Sequence, residues 1–325
     1  TSHNATTSLN ENRDEKIIVT TLLLLSFVKR LVRCAVMGIL GVGGLTSFVV
    51  AVSALQYRLN RLEAHSVEDF KKRLQSGRAL RTDDCEVFLP LSSSSQSRGE
   101  GMGSTTDSVE ISSNGTKNNP TGDGVKALLF YPGLLVDHLA YATVLGHLSD
   151  AGILVVLVNA ECWGRVVIAG ATPEHALKVM NDVTTSLAKN SSTTTTIEEW
   201  LMGGHSLGAM VCTELIRSSI LQSCIQRMVL WGTHMALDNR GDGRRDVLIV
   251  NAEYDNLMRS QNPNIAKFLA RFASPTHIIV EGGNHDGFGN YGPQVFPAKD
   301  GKRSISRELQ HEQILKATTK FVLGK

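Results

Sequence analysis

Residues 204–208 constrain the fold of this chain more than any other segment. They read Gly-His-Ser-Leu-Gly, with a short apolar run before them that ends at Met202 and an apolar segment of helical periodicity after them. Glycines on both sides of a serine are typical of a sharp strand-to-helix turn, because only small residues let the strand and the helix approach closely. The pattern also occurs by chance, so its interpretation depends on the rest of the chain.

The composition is that of a globular protein with a sizeable core. The chain has 325 residues, of which 42% are hydrophobic, and this length suits one large α/β domain with additional segments. Its 33 basic and 31 acidic residues nearly balance, which argues against a nucleic-acid partner bound through a basic face. The five cysteines are scattered without metal-ligand spacing, so we expect neither a disulfide framework nor a cysteine metal site.

An uncharged run in the N-terminal part is long enough to cross a bilayer. Residues 1–33 form a polar and basic segment with a short apolar run at 17–28, and residues 34–56 then contain no charged side chain. A helix of this length spans the hydrocarbon core, so we predict a transmembrane helix at 34–56. A buried core helix and a signal-peptide core at 17–28 are the alternatives, but the former would show a polar face and the latter a cleavage pattern.

The charges around this predicted span do not set its orientation. Lys29, Arg30 and Arg33 precede it, and further basic residues follow it from Arg58 onwards, so the positive-inside rule favours neither side. The sequence therefore predicts a single-pass membrane protein with an N-terminal anchor, and it leaves open which side of the membrane the remaining residues occupy.

Two segments separate the predicted span from the core. Residues 57–91 contain an amphipathic pattern at 57–77, which predicts a juxtamembrane helix, and apolar alternation at 85–91, which predicts an edge strand. Residues 92–124 are rich in serine, glycine, threonine and asparagine. This composition is typical of a flexible insertion.

Strand and helix patterns alternate through residues 125–325. This alternation predicts an α/β fold with a mostly parallel twisted sheet and helices on both faces. The predicted strands are 125–131, 153–158, the run that ends at the Gly204 turn, 227–231, 246–250 and 277–280. The predicted helices begin at Asp137, at Thr172 and at about Ser306.

Two loops that follow predicted strands carry the groups that would activate Ser206. A serine hydroxyl needs a base within hydrogen-bond reach, and the base needs an acid that orients it. Asp255 and His285 each follow a predicted strand closely, and the carboxyl ends of parallel strands meet at one edge of the sheet. We therefore predict Ser206 as the nucleophile, Asp255 as the acid and His285 as the base.

Other residues are candidates for parts of this site. Glu253 and Asp286 are alternative acids, whereas His205 should point beneath the turn and pack there. The oxyanion that forms when serine attacks a carbonyl needs two main-chain N–H donors. We predict Leu207, directly after the serine, and Leu134, in the loop after the first core strand.

From about Lys126 to its C-terminus the chain resembles the α/β-hydrolase superfamily, and more narrowly the alpha/beta hydrolase fold-5 family, whose bacterial members include proteins with one N-terminal membrane helix. The matching pieces are Phe130-Tyr-Pro-Gly-Leu-Leu-Val-Asp-His-Leu-Ala-Tyr, Gly203-Gly-His-Ser-Leu-Gly-Ala and Gly282-Gly-Asn-His-Asp-Gly-Phe-Gly-Asn-Tyr-Gly. The resemblance implies the same three roles for Ser206, Asp255 and His285. The chain departs from the family at Leu134, where a second glycine is usual, at 161–167 and in the insertion at 92–124.

Together these features predict a membrane-anchored serine hydrolase that forms an acyl-enzyme, most directly on a carboxylic ester. The expected partners are a small-molecule or lipid-like acyl substrate and the membrane, with no metal, no organic cofactor and no nucleic acid. The short connection 232–245 leaves no helical lid and predicts an open site, which Trp163 could line. The alternatives are a non-catalytic binding module on the same scaffold, or an acyltransferase, thioesterase or peptidase with the same triad.

Overall fold

Seven segments of the chain are described by a computed structural model. They are residues 62–91, 124–159, 171–190, 195–234, 244–258, 265–294 and 299–324. The predicted transmembrane helix at 34–56 and all but the last residue of the predicted insertion at 92–124 lie outside them. Within these seven segments, no helix has both the length and the apolar character needed to cross a membrane.

The apolar runs of the sequence form one eight-stranded sheet. The strands are β1 (Ala79–Arg81), β2 (Cys85–Phe88), β3 (Val125–Tyr131), β4 (Leu154–Val158), β5 (Ile197–His205), β6 (Ile225–Trp231), β7 (Asp246–Ala252) and β8 (Ser274–Val280). Their order is β1-β2-β4-β3-β5-β6-β7-β8. The pairs β1–β2 and β2–β4 are antiparallel and all the others are parallel, so the predicted mostly parallel sheet is confirmed.

The strand predicted at 85–91 is present as β2, but it does not lie at the sheet edge. Strand β1 pairs with its outer side, with Leu80 opposite Val87. All four residues of β2 are therefore buried, which differs from the half-exposed pattern of an edge strand. The sequence did not indicate β1 because three residues are too few to show a periodic pattern.

Helices cover both faces of the sheet. They are α1 (Ala64–Gln75), α2 (Ala142–Asp150), α3 (Pro173–Asn190), α4 (Leu207–Leu215), α5 (Ser219–Gln222), α6 (Ile265–Leu269) and α7 (Arg307–Leu323). A 3₁₀ turn, His138–Tyr141, precedes α2. The predicted starts have side-chain caps: Asp137 accepts from the Leu139 N–H at 2.9 Å, Thr172 accepts from the His175 N–H at 3.1 Å, and Ser306 caps α7.

Alternate residues of the central strands enter two apolar layers. Leu129 of β3 belongs to the layer that contains buried residues of α3, α4, α5 and α6, such as Val179. Its neighbour Leu128 belongs to the layer with α1, α2 and α7, which includes Phe70 and Ile314. Burial on both faces explains why these strands read as nearly continuous apolar runs.

The strand order has its reversal point at the carboxyl end of β3. Strand β4 lies on one side of β3 and β5 on the other, so the direction of winding reverses there. In open α/β sheets ligands bind outside the carboxyl ends of the strands at such a reversal. In this chain the residues that follow β3 and β5 at that edge are Pro132, Gly133 and Ser206.

Candidate active site

Ser206 occupies a strained turn between β5 and α4. Its φ is 54° and its ψ is −118°, and the only other non-glycine residue with positive φ in the described segments is Leu135. A conformation of this kind costs about 1–3 kcal/mol and persists only where the surroundings enforce it. The Ser206 N–H donates to the carbonyl oxygen of Trp231 at 2.8 Å, which anchors the turn to the end of β6.

Gly204 and Gly208 let the strand and the helix meet at this turn. A Cβ atom on Gly204 would lie 2.6 Å from the carbonyl carbon of Gly208 and 2.7 Å from the carbonyl oxygen of Tyr131. A Cβ atom on Gly208 would overlap the carbonyl oxygens of Tyr131 and Pro132. These obstacles are main-chain atoms and cannot move aside, so the steric reason predicted for the two glycines is confirmed.

Asp255 and His285 are brought together behind this turn. Oδ2 of Asp255 lies 2.7 Å from Nδ1 of His285, and their side chains are 0% and 2% exposed. The other oxygen of the carboxylate, Oδ1, accepts from the main-chain N–H groups of Leu257 at 2.9 Å and Met258 at 2.6 Å. The carboxylate is therefore fixed on both sides and holds the imidazole in one orientation.

The two alternative acids have other partners. Oε2 of Glu253 accepts from the main-chain N–H of Gly282 at 2.8 Å. Oδ1 of Asp286 lies 3.2 Å from Nη1 of Arg303, and its Oδ2 accepts from the Gln294 N–H at 3.3 Å. In the described part of the chain neither carboxylate forms a hydrogen bond with the His285 imidazole, so the geometry favours Asp255 as its acid.

The surroundings of His285 act on its pKa in opposite directions. Burial by itself lowers the pKa, because it penalises the charged imidazolium. The charge and the hydrogen bond of Asp255, followed by the charges of Asp300 and Asp286, outweigh burial, so the pKa of His285 is raised from its ordinary value of 6.5. An imidazole in this site is a stronger base than one in water.

The contact between the turn and this pair is made by the residue next to Ser206. Among the described residues no hydrogen bond joins the Ser206 hydroxyl to His285. The link between them is His205, which directly precedes the serine and whose ring centroid lies 4.6 Å from that of His285. As predicted, His205 is buried beneath the turn.

The two predicted oxyanion donors lie at different kinds of position. Leu207 is the first residue of α4, where main-chain N–H groups have no partner inside the helix and attract negative charge. Leu134 lies in the turn after β3 and is half-buried, but the left-handed residue of that turn is Leu135, with φ of 57°. Leu134, where the family usually has glycine, therefore does not adopt a left-handed backbone conformation. The residue that does is the next one, Leu135.

Two side chains that the sequence did not indicate, the half-buried Asp300 and the fully buried Gln310, hold the loops of the site. Asp300 accepts from the main-chain N–H of Asp286 at 2.9 Å and from that of Asn256 at 3.2 Å, which joins the base loop to the acid loop. Gln310 of α7 donates to the carbonyl oxygen of Asn284 at 2.8 Å and accepts from its N–H at 3.1 Å. No motif marks either residue, because each acts through a partner distant in sequence.

Other expectations about the site concern residues beyond the described segments. Trp163 and most of the connection 232–245 lie outside them, so the predicted open entrance stays a prediction. Within those segments, no group of three or more histidine, cysteine, aspartate or glutamate side chains is placed to hold a metal ion.

The fold and the site together define a class of protein. A mostly parallel sheet with helices on both faces, and a serine at a strained strand-to-helix turn on its carboxyl edge, is the arrangement of an α/β hydrolase. The model of the alpha/beta hydrolase family matches residues 127–312, which is more than half of the chain. The chain therefore belongs to the alpha/beta hydrolase family, the protein is a hydrolase, and the resemblance predicted from the sequence is confirmed.

Several solved structures match the chain at low sequence identity. Est1E from Butyrivibrio proteoclasticus with bound ferulic acid is 13% identical with a TM-score of 0.41, covering 64% of this chain and 93% of its own. Thermogutta terrifontis esterase 2 phosphonylated by sarin is 10% identical with a TM-score of 0.48, covering 75% and 90%. The mouse alpha/beta hydrolase domain-containing protein 10 is 11% identical with a TM-score of 0.40, covering 61% and 90%. No curated protein matches the chain.

Proposed function

We propose that this hydrolase cleaves carboxylic esters through an acyl-enzyme on Ser206, with His285 as general base and Asp255 as its acid. The observation that carries the proposal is the 2.7 Å hydrogen bond between Nδ1 of His285 and Oδ2 of Asp255. This bond assigns the proton of the neutral imidazole to Nδ1, so the free nitrogen is Nε2. The strained turn presents the hydroxyl of the neighbouring Ser206 as the nucleophile.

The proposed reaction has two halves. Oγ of Ser206 attacks the ester carbonyl carbon while its proton passes to Nε2 of His285, and the carbonyl oxygen becomes an oxyanion. When this intermediate collapses, the bond to the alkoxy oxygen breaks and the leaving alcohol takes the proton from His285. Water then attacks the acyl-enzyme by the same route and releases the carboxylic acid and the free serine.

The oxyanion needs donors that are in place before the reaction. The N–H of Leu207 is one proposed donor, since it opens a nine-residue helix whose first N–H groups are free. The second proposed donor is the N–H of Leu134, in the turn after β3. His285 carries every proton transfer in this scheme, Asp255 orients it, and main-chain N–H groups stabilise the oxyanion, so the proposed reaction uses no cofactor.

We further propose that residues 34–56 anchor the enzyme in a membrane as a single N-terminal span. Support comes from the sequence alone: the segment has no charged side chain and the length of a bilayer-crossing helix. An anchor would keep the site close to lipid-like acyl esters. Extraction of membranes with alkaline carbonate tests this proposal, since the full chain should stay in the pellet and a chain without 34–56 should be released; release of the full chain would contradict it.

Hydrolysis of p-nitrophenyl esters of increasing acyl length tests the proposed reaction. With the full chain in detergent, Ser206→Ala should lower kcat by at least about 10³-fold, because the nucleophile is lost. Ser218→Ala is the matched control: Ser218 caps the short helix α5, and its loss should leave kcat within about twofold. Retained activity in Ser206→Ala would contradict the proposal. Product analysis with added alcohols and thiols distinguishes hydrolysis from acyl transfer.

A further inference from the structure

One phenol joins the two chain segments that flank the proposed nucleophile. The main-chain N–H of Gly133, in the loop after β3, donates to the Tyr141 hydroxyl oxygen at 3.1 Å. The same oxygen lies 2.8 Å from Nδ1 of His205, the last residue of β5. Tyr141 and His205 are both fully buried, so water does not compete for these hydrogen bonds.

The direction of the bond from Gly133 follows from its chemistry. A main-chain N–H can only donate, so the Tyr141 oxygen accepts from Gly133, and the same hydroxyl shares a second hydrogen bond with Nδ1 of His205. The pKa of His205 is lowered well below 6.5, mainly by burial and further by the charge of His285, which agrees with a neutral ring.

Tyr141 and His205 are closely packed between the loop after β3 and His285. A Cβ atom on Gly133 would lie 2.9 Å from the Tyr141 hydroxyl oxygen and 3.0 Å from Nδ1 of His205, so the loop rests directly on the pair. On its other side the His205 ring lies 4.9 Å from the ring of Phe288, stacked at 29°, and 4.6 Å from that of His285. A shift of either side chain would therefore move the loop relative to Ser206.

We propose that Tyr141 and His205 are positioning residues. Their hydrogen bond holds the loop at 133–135 so that the main-chain N–H of Leu134 can bind the oxyanion formed on Ser206. The inference rests on the proposed function and adds a pair of side chains that fixes the position of the oxyanion donor relative to the nucleophile. This position matters because an oxyanion donor acts within about 2.7–3.1 Å of the oxygen, and a displacement of about 1 Å can cost about 100-fold in rate.

The first test compares two tyrosine variants of the full chain in detergent. Tyr141→Phe should lower kcat for p-nitrophenyl ester hydrolysis about 10- to 100-fold, below the loss for removal of a donor itself, with KM within about threefold. Tyr131→Phe is the matched control: its buried hydroxyl has no hydrogen-bond partner in the described segments, so kcat should stay within about twofold. A Tyr141→Phe enzyme with the wild-type kcat would overturn the inference.

The second test separates hydrogen bonding from ring packing at His205. Asn at this position keeps a hydrogen-bonding group near Nδ1 but loses the ring, whereas Phe keeps a ring against Phe288 and His285 but cannot hydrogen-bond to Tyr141. The positioning role predicts that the kcat of His205→Asn exceeds that of His205→Phe by about tenfold or more. A higher kcat for His205→Phe would overturn the inference. If Tyr141→Phe does not fold, which thermal unfolding would show, the two His205 variants decide whether the hydrogen bond has a positioning role.

Ser206→Ala, assayed in parallel, separates the failure of this inference from that of the proposed function. An inactive Ser206→Ala together with a fully active Tyr141→Phe overturns the positioning role and leaves the serine mechanism in place. An active Ser206→Ala overturns the serine mechanism, and the positioning role with it, since no oxyanion on that serine would need a donor.

Discussion

The carboxylate of Asp255 lies 2.7 Å from Nδ1 of His285, and both side chains are almost completely buried. The second oxygen of the carboxylate is held by the N–H groups of Leu257 and Met258. A buried acid–imidazole pair of this kind leaves Nε2 as the nitrogen that exchanges the proton with Ser206 in the proposed mechanism.

Asp255→Asn should nearly abolish ester hydrolysis without unfolding the protein. The Asn oxygen can still accept from Leu257 and Met258, but its amide hydrogens would face Nδ1–H of His285 and favour the wrong tautomer. We expect kcat to fall about 10³- to 10⁴-fold, measured together with the far-UV circular dichroism spectrum. Glu253→Gln is the control, because Glu253 bonds to Gly282, and a loss of similar size there would contradict the assignment of the acid.

The pH dependence of kcat/KM should report the raised pKa of His285. A protonated imidazole cannot accept the serine proton, so kcat/KM falls as the pH drops through the pKa of the free enzyme. Since the pKa is raised above 6.5, the midpoint of the acid limb should lie above that value. In Asp255→Asn burial remains and the carboxylate is lost, so the His285 pKa, followed by NMR, should fall. An acid limb below pH 6.5 in the wild type would contradict this account.

Gln310→Met should destabilise the base loop. Both polar groups of the Gln310 amide are bonded to the main chain of Asn284, and the side chain is fully buried. Methionine leaves the Asn284 N–H and carbonyl buried without partners, which should cost about 2–4 kcal/mol of unfolding free energy. Urea denaturation measures this loss. Gln313→Met, a half-exposed position of the same helix, should change the unfolding free energy by less than about 0.5 kcal/mol.

Gly208→Ala should inactivate the enzyme, whereas Gly146→Ala should not. At Gly208 a methyl group meets the fixed carbonyl oxygens of Tyr131 and Pro132, so the turn must shift and kcat should fall at least about 100-fold. At Gly146 the atoms nearest to a methyl group belong to the guanidinium of Arg73, the end of a long side chain that pairs with Asp150. This ion pair would have to shift, but no main-chain atom of the Ser206 turn is among those nearest atoms, and alanine favours the helix by about 0.5–1 kcal/mol. Equal activity losses in the two variants would contradict the steric account of the turn.

The features that the sequence predicted well are local patterns combined with one topological rule. Two glycines indicate the turn around Ser206, and apolar runs of five residues indicate β3 and β4. Asp255 and His285 follow from the rule that the carboxyl ends of parallel strands meet at one edge. Their hydrogen bond is the pairing that this reasoning implies, although their catalytic roles stay a prediction.

The features that the sequence did not indicate depend on packing between distant segments. Tyr141 and His205 are 64 positions apart, and Gln310 and Asn284 are 26 apart. Neither periodicity nor a motif relates such residues, because they meet only after the helices have docked on the sheet. Strand β1 has no pattern in the sequence for a different reason, since its three residues gain their conformation from pairing with β2.

Labelling of the full chain with a fluorophosphonate, followed by peptide mass spectrometry, tests most directly whether Ser206 is a nucleophile activated by His285. The account predicts a single phosphonyl group on Ser206, formed at a rate that rises with pH through the raised pKa of His285, and no labelling in His285→Ala or Ser206→Ala. An adduct on another residue, or labelling of His285→Ala at the wild-type rate, would contradict it.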